Sequence, residues 1–389
     1  MNHFFQLFFL FLLIHNGVFT QEYENYKKLL DTTISSKSLG FEKNIAVIVP
    51  FNWQKDIDRE FPLILIFDSQ NERSHNYMVN TIDYLTSNDQ MPASIIISVE
   101  SEQQYRYLET LHKTSSDKGL ALENEKFIFE ELIPLAENQF NASDFRILIG
   151  HSRYGYFTSS LLFSRLNDLN AIVSLSPFFY QKNIDLTDSV KKLEKLKLKS
   201  TKYYRFGIGN DYPDDFQKMD SVFKTLKNSL INAKGMLFSE ASHNVTPGLI
   251  IATALYEIFE EYAKIQNKYL SNDFDKLKEI NEFEKELTNH YGSKLVFSLG
   301  VLNGKGWYFY NEGKYNKAIE AWEIVLKSYP NFSEVHLYIL DAQMMLNKDF
   351  SKQEIDVIID RFKISLSKSN IYSDDQKKEI LEEIGKNYE

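Results

Sequence analysis

The chain has 389 residues, 43% hydrophobic and 25% charged, with 30 Phe and 23 Tyr, enough for a main domain and an additional unit. Its formal net charge of −10 argues against non-specific nucleic-acid binding, which requires a basic surface. The absence of cysteine excludes disulfides, thiolate metal sites, a cysteine nucleophile and a lipid-modified cysteine.

The first twenty residues are nearly uncharged and carry the apolar run 4–14. That run is too short for a membrane span of ~20 residues but suits the core of a signal peptide. Polar sequence begins at Gln21, and Val18 with Thr20 offers a small-residue cleavage site. The expectation is a signal over residues 1–20 and export to a bacterial periplasm or the exterior, with no membrane span afterwards. An uncleaved anchor is the alternative.

Short apolar runs then alternate with amphipathic stretches. Strands are predicted over 44–49 (NIAVIV), 62–68 (PLILIFD), 94–99 (SIIISV), 145–149 (FRILI), 171–175 (AIVSL), 203–208 (YYRFGI) and 234–238 (KGMLF). Most are apolar on both faces, as strands covered by helices on both sides must be. Helical patterns fall over 122–137, 216–230 and 247–263. Strand and helix in alternation predict an α/β fold with a mostly parallel, doubly wound sheet over about 30–265.

From about 266 to 389 the pattern is long charged helices without strands. Gly306, Phe309, Tyr315, Ala318, Trp322 and Pro330 are spaced as in a tetratricopeptide repeat, and GWYFYNEGKYNKAIEAWEIVLKSYP resembles that family, with 331–346 as the next helix. One repeat is too few for independent stacking, so neighbouring helices or the α/β domain should cover it. This region either braces the α/β domain or offers a docking surface for a protein partner.

The chemistry concentrates at Gly150-His151-Ser152-Arg153-Tyr154-Gly155, where an apolar strand runs into an amphipathic helix. That is the layout of a nucleophile elbow, with Ser152 on a strained turn above a helix N-terminus. The usual second glycine is replaced by Tyr154, whose bulk threatens the turn. Of the eight histidines, only His243 follows the last predicted strand and precedes the closing helix, where this fold keeps its base. His151 adjoins the serine but in an elbow should point away from the reacting face. The loop GIGNDYPDDF supplies the acid, Asp211 first by position, with Asp214 and Asp215 as alternatives. The oxyanion hole should use the backbone N–H of Arg153 and one from Ser69 or Gln70, Ser69 being the first choice. No metal or cofactor is required. Arg106 and Arg153 read as solvated surface arginines, with contact to an anionic substrate group as the alternative, and Tyr154, Tyr156, Phe178, Phe179 and Tyr180 as core packing or the mouth of the site.

The order of these segments resembles the putative-esterase family of esterase D and the siderophore trilactone esterases. SSKSLGFEKNIAVIVP resembles its opening strand, FPLILIFDSQ the strand into the oxyanion loop, SVESEQQYRYL the following loop, FIFEELIPLAENQF the helix before the elbow, and ASHN the histidine loop. The resemblance implies Ser152 as nucleophile, His243 as base, an acid near Asp211, and a small-molecule or acyl-sugar ester as substrate. Where the family favours glycine, this chain has Tyr154 and Ser69. A catalytically silent hydrolase shell acting through the C-terminal helices is the competing reading, and a peptidase of the same fold the third.

Overall fold

A computed structural model describes residues 23, 25–55, 59–271, 277, 280–347, 349–369 and 371–388. The expected signal segment lies outside the described residues. Among those residues no helix is long and apolar enough to cross a membrane.

The fold is that of an α/β hydrolase, a mostly parallel sheet with helices followed by an all-helical region. Eight strands lie in the order β1-β2-β4-β3-β5-β6-β9-β10. They are β1 (Tyr26–Ser35), β2 (Glu42–Pro50), β3 (Phe61–Phe67), β4 (Ile95–Val99), β5 (Ala142–His151), β6 (Ala171–Leu175), β9 (Lys202–Ile208) and β10 (Ile231–Leu237). From β4 to β10 all pairings are parallel, while β2 runs antiparallel to β4. Every residue of β3, β4, β6 and β9 is buried, which is why these strands read as unbroken apolar runs. A two-stranded ribbon, β7 (Tyr180–Gln181) with β8 (Ile184–Asp185), follows β6.

The crossover helices are α1 (Glu72–Ser87), α2 (Gln103–Glu109), α3 (Ala121–Lys126), α4 (Ile133–Phe140), α5 (Arg153–Ser160), α6 (Pro213–Lys224) and α7 (Thr246–Ile258). The predicted helix 122–137 is divided: a π-helical turn, Phe127–Leu132, joins α3 to α4. Pro134 has no N–H for the carbonyl of Glu130, so a regular turn cannot pass through it. The helix predicted over 216–230 starts earlier and ends at Lys224, with Pro213 in its first turn, where a missing N–H costs nothing.

The chain divides into two compact units. The sheet unit comprises Lys28–Pro50 and Lys55–Val301. It therefore extends past the expected boundary near 265 and takes in α8 (Glu260–Leu270) and α9 (Ile280–Tyr291). The reason is an aromatic seam. Tyr291 meets Phe145 of β5 edge-on at 5.7 Å and Phe259 at 6.2 Å, its hydroxyl donates to the Ile258 carbonyl at 3.0 Å, and its own carbonyl accepts from Asn170 at 2.8 Å.

The helical unit contains α10 (Leu299–Asn311) from Leu302 onward, α11 (Tyr315–Ser328), α12 (Glu334–Leu346), α13 (Lys352–Lys368) and α14 (Asp374–Tyr388). Residues 51–54 join it, Gln54 bonding the Lys368 carbonyl at 2.7 Å and Asn331 at 2.6 Å. Gly306 lets α10 approach α11 closely: a Cβ there would lie 2.2 Å from Trp322 Nε1. Trp322 in turn packs edge-on to Trp307 at 5.2 Å and donates to Asn303 at 3.0 Å. Leu340, Phe362, Leu366 and Ile384 build a second core, and Ser351 with Glu354 caps α13 reciprocally.

Candidate active site

The site lies at the C-terminal edge of the parallel strands, where α/β folds of this kind carry their chemistry. Strand β5 ends at His151 and α5 begins at Arg153, leaving Ser152 alone at the turn with φ 58° and ψ −114°. For a residue with a Cβ this conformation is strained and persists only when its surroundings fix it. Here the Ser152 N–H is fixed on the Leu175 carbonyl at 2.8 Å. The chain also turns too tightly for side chains at two neighbours. A Cβ on Gly150 would lie 2.4 Å from the Tyr154 carbonyl oxygen, and one on Gly155 3.1 Å from that of Leu175. Gly155 thus does the work of the missing glycine, and Tyr154 does not distort the elbow. Its ring is fully buried and stacks on Phe67 at 4.9 Å.

His243, in the loop between β10 and α7, places Nδ1 2.5 Å from Asp211 Oδ2. Asp211 stands just past β9, and its other oxygen is buried with no partner among the described residues. The alternative acids are occupied elsewhere: Asp215 accepts the Phe179 N–H at 3.0 Å, and Asp214 is exposed in the first turn of α6. Ser152 Oγ makes no hydrogen bond among the described residues, and such contacts in a free enzyme are often long.

His151 does not point away from the site as expected. Its ring lies 4.7 Å from that of His243, and its Nε2 is 3.2 Å from the His243 carbonyl oxygen. Burial, and then the neighbouring His243, lower its pKa from the usual 6.5 to about 4. His151 is therefore neutral near pH 7 and donates to that carbonyl. The unfolded chain takes up the proton below pH 6.5 and the folded one only near pH 4, so stability falls as pH drops through that window. Between pH 7 and 5 the loss should be about 2 kcal/mol. His151→Asn should lose less over the same interval; equal acid sensitivity in urea melts of both proteins would refute this.

The expected oxyanion donor Ser69 is corrected. Its N–H is bonded to the Val99 carbonyl at 3.2 Å, which removes it from a ligand's reach. The Gln70 N–H carries no such bond among the described residues and becomes the candidate, beside the free first-turn N–H of Arg153 in α5. Asp68, left-handed at φ 62° and buried, is gripped through both oxygens by Arg106 at 2.8 and 2.6 Å. Burial opposes the Arg106 charge, and the Asp68 carboxylate more than offsets it. Arg106 thus serves Asp68 rather than a substrate anion, and Arg153 lies 4.3 Å over the Tyr107 ring. Tyr156 stacks on Phe178 at 5.1 Å, and Phe178 meets Tyr212 edge-on at 6.1 Å. Tyr212 in turn is edge-on to His243 at 6.2 Å. Phe179 is buried and Tyr180 exposed. Among the described residues no group of three or more His, Cys, Asp or Glu could hold a metal ion.

The sequence profile of the family described as Putative esterase matches residues 36–227. That stretch of the chain belongs to the Putative esterase family. The protein is an ester hydrolase. The match takes in the elbow and Asp211 and stops short of His243. Solved structures share the fold. An uncharacterised protein from Capnocytophaga ochracea is 14% identical with a TM-score of 0.58, covering 92% of this chain and 98% of that one. An IroE-like serine hydrolase from Shewanella oneidensis is 16% identical at 0.61, over 77% and 99%. The siderophore hydrolase EstB from Aspergillus nidulans is 16% identical at 0.50, over 63% and 98%. No curated protein sequence matches at a significant level.

Proposed function

We infer that this esterase works through Ser152 as nucleophile, His243 as general base and Asp211 as the acid that orients it. The observation that carries the reading is the pairing, on one sheet edge, of a strained elbow serine with a histidine 2.5 Å from a carboxylate. His243 Nε2 takes the Ser152 Oγ proton as that oxygen attacks the ester carbonyl. The Arg153 and Gln70 N–H groups receive the oxyanion. The tetrahedral species collapses, the C–O bond breaks, and His243 returns the proton to the departing alcohol. Water, deprotonated by the same imidazole, then attacks the acyl-serine, and the acid leaves with Ser152 regenerated. Asp211 holds the Nδ1 proton throughout.

The half-buried Phe178 and exposed Tyr212, ranged beside His243, suit an aromatic acyl or catecholate group, so siderophore lactones and acylated sugars are the substrates to try first. The apolar run 4–14 supports export, and the helical unit remains a candidate docking surface. A fluorophosphonate reacts with a serine only when a base activates it. It should add to Ser152 alone, and His243→Ala should suppress the adduct by more than about a hundredfold. Folded protein that takes no label, or takes it elsewhere, would refute the assignment.

A further inference from the structure

Tyr154 occupies the position where a nucleophile elbow carries glycine, and its hydroxyl is committed to a buried circuit. Tyr154 Oη donates to the Glu109 carboxylate and accepts from Ser101 Oγ at 2.8 Å. Lys43 Nζ neutralises Glu109 at 2.8 Å, and Lys43, Ser101, Glu109 and Tyr154 are all at most 2% exposed. From this cluster two paths run to the oxyanion loop. Through the backbone, the Ser101 N–H donates to Gln70 Oε1 at 3.0 Å, and Gln70 Nε2 donates to Asp68 at 3.1 Å. Through α2, Glu109 is one turn from Arg106, which grips the same Asp68 in its two-pronged pair. The Tyr154 ring adds a third link, stacking on Phe67, the residue before Asp68.

Each end of this circuit lies beside a proposed oxyanion donor: Tyr154 follows Arg153, and Gln70 supplies the other N–H itself. We propose that the Tyr154 hydroxyl is a positioning group that sets the distance between the elbow and the oxyanion loop, and with it the spacing of the two donors. The inference rests on the reading of Ser152 and its oxyanion hole given above. Two N–H groups stabilise a tetrahedral oxyanion only when both are aimed at it, and displacement by about 1 Å costs on the order of a hundredfold in rate. Ground-state ester binding depends far less on that spacing. Burial, together with Glu109 and Asp68, pushes the Tyr154 hydroxyl well above its ordinary range, so it remains a donor throughout the working pH range.

Tyr154→Phe keeps the ring on Phe67 and removes the hydroxyl. With p-nitrophenyl butyrate, kcat should fall about 30-fold while KM changes by less than about twofold. The Ki of a trifluoromethyl ketone, which captures the serine as a tetrahedral adduct, should rise by the same factor as kcat falls. Loss of stability alone would leave both values unchanged at a temperature well below the melting midpoint. Ser101→Ala, which spares the Lys43–Glu109 pair, should show the same pattern at about 5- to 10-fold, and it decides the matter if Tyr154→Phe does not fold. Wild-type kcat and Ki in the folded variant overturn the positioning role. Wild-type enzyme that neither turns over esters nor labels at Ser152 overturns the underlying site assignment instead.

Discussion

Ser152→Ala should lower kcat/KM for p-nitrophenyl butyrate by about 10⁴- to 10⁶-fold while leaving a folded protein. The loss is large because, in the proposed mechanism, the substitution removes the atom that forms the acyl intermediate. What remains is water attack assisted by His243 and the oxyanion donors, worth about 10³- to 10⁴-fold over solution. The fold should survive for reasons visible at the turn. Ser152 is held by its backbone N–H on Leu175, which alanine retains, and φ 58° costs alanine no more than serine. Since Ser152 Oγ bonds no described residue, its loss strands no buried partner, and the stability change should stay within about 1 kcal/mol. Stopped-assay rates beside a thermal melt of each protein test both halves. A variant that melts like wild type and still turns over esters would place the nucleophile elsewhere.

The central parallel strands β3, β4, β6 and β9 were legible because burial on both faces leaves an unbroken apolar run, and all seven predicted runs fall on strands of the sheet. Strand β1 was not. It is an edge strand, mostly exposed, whose sequence YKKLLDTTIS carries charge where a central strand carries valine or isoleucine. Helix α1 was missed for a related reason: Met78, Val79 and Ile82 form a narrow apolar stripe in an otherwise polar segment. In the candidate site, Ser152, His243 and Asp211 could be named because topology restricts where each must fall along the chain. The surroundings could not. The Glu109–Lys43 pair joins residues 66 apart, and the commitment of the Ser69 N–H to Val99 depends on strand register. His151 is instructive, because elbow geometry predicts its direction away from Ser152. The loop carrying His243 folds back so that the two rings nonetheless lie 4.7 Å apart.

The proposed orienting acid gives the second large expected effect, and it separates three neighbouring carboxylates by one substitution each. In the proposed triad, Asp211 accepts the His243 Nδ1–H at 2.5 Å, which leaves Nε2 bare for the serine. In Asp211→Asn the side-chain amide can donate to Nδ1, which moves the ring proton to Nε2 and blocks the base. The expected fall in kcat is about 10³- to 10⁴-fold at pH 7, with KM little changed and the fold intact. Asp214→Asn, exposed and without such a contact among the described residues, should stay within about twofold. Asp215→Asn weakens the acceptor of the Phe179 N–H at 3.0 Å and should cost about 1 kcal/mol of stability with a small change in kcat. Steady-state rates and melting midpoints for the three variants decide among them. A wild-type kcat in Asp211→Asn, or an equal fall in Asp214→Asn, would show that the 2.5 Å contact is structural and that the orienting charge comes from another residue of the loop.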